Sequence, residues 1–233
     1  RMLHVPAPQR HPGRYFVLAL YDAWTNNFDN PGLRLSPADG EAVWLVGPGC
    51  PPAQRPGDGR PVIEAPTNLV WVIGRVLAGE GEDAARARAL QAEIRLDAPA
   101  SGGRPGAVER WSGPPEDTMA TWLARPDTAV EYAPHFFNNL CRGLAEQAIP
   151  TTDQGLADWL GRSGLTASLD FDFAQLPEGL RAGLIEGLCD GAALVLQGSR
   201  SRRARPWATS FGVGRYGTDY LVRALTAYKG LGA

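Results

Sequence analysis

Arg14-Tyr15-Phe16-Val17-Leu18-Ala19-Leu20-Tyr21-Asp22-Ala23-Trp24-Thr25-Asn26-Asn27-Phe28 is an apolar and aromatic run that ends abruptly in Asp, Thr and Asn. A short run of this kind, bounded by turn-forming residues, is what a buried strand followed by a tight turn requires. Val43 to Val46 and Val70 to Leu77 repeat the pattern between clusters of Gly, Pro, Asn and Asp, so residues 1–78 read as short strands separated by turns. Pro48, Gly49, Pro51, Pro52, Pro56, Gly57, Asp58 and Gly59 are too dense in breakers for a strand and read as a long exposed loop. From Glu82 to Leu96 the spacing changes: Ala87, Leu90 and Ile94 fall three and four apart, as on one face of a helix.

Beyond this β-rich module with one helix, residues 1–97, the stretch 98–117 is rich in Pro and Gly and reads as a linker or mobile loop. Residues 118–200 read as a helical segment. Thr128 with Glu131, and Thr151 with Gln154, have capping-box spacing. Val130, Ala133, Phe137, Leu140 and Leu144 form a stripe interrupted by Pro134, which predicts either a kink or a helix start near His135. Gly161 and Gly164 stop the next helix, and Pro177 opens a longer one with Leu180, Leu184, Leu188, Ala192 and Val195 at helical spacing. In 201–233 a closing loop leads to a helix over about Thr218 to Lys229, expected to end at Gly230 and to pack on the β-rich module. The fold class is therefore α+β: a sandwich or barrel-like β-rich half, a helical segment, and a C-terminal helix returning to the first half.

Composition narrows the functions. With 233 residues, 44% hydrophobic, 21% charged and a net charge of −2, the chain is long enough for one or two globular domains without disulfides. No apolar run reaches the roughly 18 to 20 residues of a membrane helix, so the body of the chain is not expected to be membrane-embedded. The balanced charge argues against a nucleic-acid partner. Arg200, Arg202, Arg203 and Arg205, with Trp207 nearby, could meet phosphates but fit a solvated loop better. Cys50, Cys141 and Cys189 are odd in number and have no ligand spacing, so neither a disulfide framework nor zinc is indicated. Arg1 and Met2 lead straight into strand-like sequence, which favours a cytoplasmic chain unless a leader was removed.

The opening stretch resembles a motif of a bacterial domain-of-unknown-function family, number twelve-fifty-four. Trp44-Leu45-Val46-Gly47-Pro48-Gly49 is similar to that family's second strand and turn, and Pro66-Thr67-Asn68-Leu69-Val70-Trp71-Val72-Ile73-Gly74-Arg75 to its third. Gly214-Arg215-Tyr216-Gly217-Thr218-Asp219-Tyr220-Leu221-Val222-Arg223-Ala224, with Gly230-Leu231-Gly232-Ala233, is similar to its closing segment. The resemblance implies a β-rich domain with a helical insertion, often oligomeric. Similar proteins carry more sequence before the first strand and commonly a second β-rich module after the Leu-Gly-Ala end, so this chain reads as a fragment or a short form. No reaction follows from the family. Hydrolysis of an amphiphilic or ester-like small molecule is the enzyme reading, and a noncatalytic ligand-binding or oligomer-assembly module is its alternative.

Candidate site residues come from spacing. Asp22, Trp24 and Asn26 share parity, and Arg14 lies an even eight residues before Asp22, so along one strand these side chains would share a face and could line a pocket. The competing reading makes Asp22 and Asn26 turn caps and Trp24 core. Arg215, Tyr216 and Asp219, between Gly214 and the last helix, resemble an anion cradle that could complete a substrate site, although Thr218 or Asp219 also fits a plain N-cap. With Asp22, His135 is the candidate catalytic group, because an imidazole suits proton transfer; a surface histidine on a helix is the alternative. His4, His11 and His135 lack metal-ligand spacing, and Asp170 with Asp172 supplies only two oxygen ligands, so no metal and no cofactor is expected. No nucleophile elbow and no nucleotide-binding fingerprint is present.

Overall fold

The computed structural model describes residues 1–6, 10–33, 42–97, 124–203 and 214–230. The stretch 98–117, Arg205, Trp207 and Leu231 to Ala233 lie outside the described residues. By contacts the chain divides into two compact units, Arg1–Glu109 and Arg110–Ala233. Among the described residues there are seven strands in two sheets and five α-helices, a mixed α and β content that ends in a helix. No described helix is long and apolar enough to cross a membrane.

In the first unit, β1 (Met2–His4), β4 (Ala42–Val46), β5 (Val62–Glu64) and β7 (Arg95–Asp97) form one sheet in the order β5-β4-β1-β7. Strand β1 runs antiparallel to β4 and β7, and β4 runs parallel to β5. The second sheet has β2 (Phe16–Asp22) between β3 (Asn27–Asp29) and β6 (Val70–Val76), all antiparallel. The two-residue period of a strand sends Leu3 and Val5, Val43 and Leu45, and Phe16, Leu18 and Leu20 inward. They form one buried cluster with Leu90 of helix α1 (Glu82–Glu93), so one face of each sheet and one helix share a core. Each such side chain contributes roughly 1.5–3 kcal/mol on burial. Gly32 sets how closely the chain after β3 returns to β2, because a Cβ there would sit 2.6 Å from the Phe16 carbonyl oxygen.

The helical spacing predicted over 82–96 breaks earlier than expected. Helix α1 stops at Glu93, Ile94 is extended, and Arg95–Asp97 pairs with β1. Periodicity reports which residues face the core, and Ile94 does pack there. It does not report that the free edge of β1 offers backbone partners to the residues just beyond.

The second unit is built on α2 (Pro126–Glu146), α3 (Gln154–Arg162), α4 (Glu178–Arg203) and α5 (Tyr220–Gly230). Ala133, Phe137 and Cys141 of α2 pack with Leu165 and Phe173 and with Leu184 and Leu188 of α4. The Phe137 and Phe173 rings stack at 5.3 Å and 8°. Neither capping box forms. Thr128 lies inside α2, its hydroxyl donating to the Arg125 carbonyl at 3.0 Å, and α3 starts from Asp153 without a side-chain cap. Helix α2 begins at Pro126 rather than near His135 and continues through Pro134. Pro134 and Val130, whose carbonyl loses its partner, both lie on the exposed face, where water can satisfy the freed oxygen. Gly164 ends α3 as expected: at φ 92° it lets Leu165 N–H reach the Leu160 carbonyl and its own N–H reach Gly161, a Schellman motif. Arg200, Arg202 and Arg203 belong to the last turn of α4.

Candidate functional site

Asp22 ends β2 and is buried, 4% exposed. Its Oδ1 accepts the backbone N–H groups of Trp24 at 2.9 Å and Asn26 at 2.8 Å, and its Oδ2 accepts the Asn26 side-chain amide at 3.0 Å. The backbone closes the same turn, Asp22 N–H to Asn26 oxygen and Thr25 N–H to Asp22 oxygen, both 3.0 Å. Thr25 is held at φ 65°, a left-handed conformation that a β-branched residue adopts only under constraint, and its buried hydroxyl has no hydrogen bond among the described residues. From the next strand connection, the buried Thr67 hydroxyl accepts Ala23 N–H at 2.9 Å and donates to the Leu69 carbonyl at 2.7 Å. The carboxylate thus shapes a hairpin from three local donors. Because β2 stops at Asp22, strand alternation does not extend to Trp24 and Asn26.

Arg14 lies at the opposite end of β2, about 26 Å of extended chain from Asp22. Its guanidinium bonds the Asp83 carboxylate and the Leu77 carbonyl, anchoring the first turn of α1. That hydrogen bond, with the Gly79 backbone N–H, holds the Asp83 carboxyl down to about 2. The remaining predicted residues belong to the second unit. His135 lies on α2, its Nε2 3.1 Å from the Asn139 amide and its ring 5.3 Å from that of Tyr132. Asp219 accepts the Val222 N–H at 3.0 Å, so it caps α5. Arg215 is exposed. Tyr216 is buried under the Arg223 guanidinium, 5.5 Å from its ring centre. Arg223 and Tyr220 meet the buried Asp153 carboxylate at 3.6 and 3.0 Å, a clasp between α5 and the turn before α3. Asp172 caps a short 3-10 turn through Ala174 N–H at 3.0 Å, and among the described residues no three metal-ligating side chains converge.

A cleft in the first unit was not legible in the spacing. About 300 Å³ of open volume lies where β1, the start of β4, the end of α1 and the start of β7 meet. His4, Arg10, Glu93 and Arg95 line it, together with Pro6, Ala42 and Ala92. His4 Nε2 lies 2.6 Å from Asp97 Oδ2, and His11 Nε2 lies 3.0 Å from Glu93 Oε1. These partners are 93 and 82 residues apart in sequence, so no motif could have announced them.

The likeness to known proteins is one of fold. The VPA0106 protein from Vibrio parahaemolyticus, a solved crystal structure, is similar over 100% of this chain and 53% of its own, with 18% identity and a TM-score of 0.60. The chain therefore spans about half the length of that protein. No curated protein matches the chain. Residues 1–98, the unit that holds both the Asp22 hairpin and the cleft, match the model of the family described as protein of unknown function (DUF1254).

Proposed function

We propose that the chain is a noncatalytic small-molecule-binding module and that the cleft beside β1 is its ligand site. The carrying observation is the cleft's make-up: an imidazole, two guanidinium groups and a carboxylate gathered around about 300 Å³ of open volume, the lower end of the size range of small-ligand sites. The Asp22 carboxylate spends its acceptors on its own turn, which supports a structural part for it rather than proton transfer. The rival reading keeps Asp22 and His135 as acid–base groups of a hydrolase, with Arg14, Trp24, Asn26, Arg215, Tyr216 and Asp219 around the substrate.

One set of measurements separates the two. Thermal unfolding is followed with millimolar panels of short organic acids, amines, sugars and alcohols, and p-nitrophenyl butyrate is tested for turnover. The expected outcome is a rise in melting temperature with at least one class, lost in Ala92→Trp, which fills the cleft from an exposed position, and no ester release above buffer. Absence of any shift overturns the binding reading. Ester turnover that disappears in Asp22→Asn and His135→Gln with unchanged melting establishes the rival.

A further inference from the structure

We infer that the outer edge of β6 pairs with a second copy of the chain, the two strands running antiparallel about a two-fold axis at Ile73. Among the described residues the two sheets end in the edge strands β3, β5, β6 and β7. Three of these are three residues long and carry an acidic side chain, Asp29 on β3, Glu64 on β5 and Asp97 on β7, and the β2–β3 pairing also shifts register. Short, charged or bulged edges resist pairing with another chain. β6 has none of this protection. It is seven residues long, keeps one register with β2 from end to end, contains neither Lys nor Pro, and has Arg75 as its one charge. No residue of β6 is buried, whereas six of the seven in the neighbouring β2 are. Gly74, which has no side chain, is exposed, so the backbone itself meets solvent there.

The hydrogen-bond pattern aims that edge outward. Leu77, just past the strand, donates its N–H to the Tyr15 carbonyl at 2.9 Å, so by the two-residue period the odd-numbered residues of β6 bond to β2. Val70, Val72, Gly74 and Val76 turn their N–H and carbonyl groups to the side where no described strand lies. Val72 and Val76 pack their side chains on the core, which leaves Trp71, Ile73 and Arg75 on the outer face. The sequence along this edge is self-complementary. An antiparallel copy centred on Ile73 sets Val70 against Val76 and Val72 against Gly74 as hydrogen-bonded pairs. On the outer face it sets Trp71 against Arg75, Leu69 against Leu77, and Ile73 against Ile73 of the second copy. Trp71, Leu69 and Leu77 are 42%, 48% and 62% exposed in the single chain. Pairing covers both leucines and brings a guanidinium to an indole twice, once on each side of the axis. An unrelated extended peptide would satisfy the backbone groups alone, and the matched side chains are what a second copy supplies.

The test is sedimentation equilibrium of the full chain. One pair of short strands is a small interface, so a dimer that forms at roughly ten to a hundred micromolar is expected. Trp71→Arg sets like charges opposite each other and should weaken the dimer about tenfold more than Trp71→Glu, which sets opposite charges there. Both replace an exposed side chain, and their melting temperatures are compared with the parent's. A cross-link reads the register directly. In Ile73→Cys the two thiols would sit on residues with Cα atoms about 4.5 Å apart, within disulfide range. Mild oxidation should then give a covalent dimer in excess of any formed by the native Cys50, Cys141 and Cys189. Arg75→Cys, on the same face but offset from its own copy by about 13 Å along the strands, should not. A chain that stays monomeric at these concentrations overturns the pairing, as does a dimer that the two Trp71 variants weaken equally or that Ile73→Cys fails to cross-link. Cross-linking through Arg75→Cys as readily as through Ile73→Cys overturns the register. If a Trp71 variant unfolds, the two cysteine variants decide.

Discussion

Replacing Asp22 by Ala removes the acceptor for two backbone N–H groups and one side-chain amide in a single turn. A hydrogen bond to a charged acceptor contributes about 1.5–3 kcal/mol, and an orphaned buried donor costs about 1–3 kcal/mol. The bonds share one carboxylate, and Trp24 and Asn26 are only half-buried, so water recovers part of the loss. The expected net is about 3 kcal/mol, well short of the sum. For a unit of this size that corresponds to a fall of roughly 12–24 °C in melting temperature. Asp22→Asn should cost only about 1 kcal/mol, because one oxygen still accepts both backbone groups and Asn remains competent to form this type of turn. Urea unfolding followed by far-UV circular dichroism measures both variants. An Asp22→Ala protein within about 0.5 kcal/mol of the parent, the range of an ordinary surface change, refutes the turn-cap reasoning.

Thr25→Gly should stabilise the first unit by about 1 kcal/mol in the same assay, since glycine relieves the left-handed backbone and removes a buried hydroxyl that has no partner among the described residues. Asp83 has its carboxyl held to about 2 against an ordinary value of 3.8, so its pair with Arg14 contributes fully above pH 4 and is lost as pH falls toward 2. Arg14→Gln should flatten acid unfolding in that window. Burial pushes the Cys141 thiol up to about 11, so a thiol reagent at pH 8 should modify half-exposed Cys50 in the native protein and reach Cys141 only after unfolding, as peptide mass spectrometry would read. In the second unit a Cβ on Gly198 would lie 2.9 Å from Leu225 Cδ1, where α4 and α5 pack, so Gly198→Val should cost about 2–3 kcal/mol. Gly143→Ala, in open space on α2, should gain up to about 1 kcal/mol, with thermal melts comparing the two.

Local physics explains what could be read from the residues alone. The apolar runs at Phe16–Asp22, Ala42–Val46 and Val70–Val76 are strands because each is bounded by residues that the backbone needs for turning. Gly164 and Asp219 do at the ends of α3 and α5 what their residue types favour. The Asp22–Asn26 turn was legible as a turn for the same reason: its hydrogen bonds span no more than four residues. Its competition with a pocket could not be settled by parity, which depends on where the strand ends.

What tertiary structure alone decided is which distant residues became neighbours. The short β7 exists because β1 offers a free edge, although the spacing of 82–96 continues a helical pattern into it. Arg14 meets Asp83, 69 residues away, and the cleft took His4 and Arg95 from opposite ends of the first unit. An ion pair or a cleft depends on distance in space, and a side chain's type sets only what it can do on arrival. The sequence therefore determined the strands, turns and caps of this protein, and its packing determined where charged side chains gather around an open cleft.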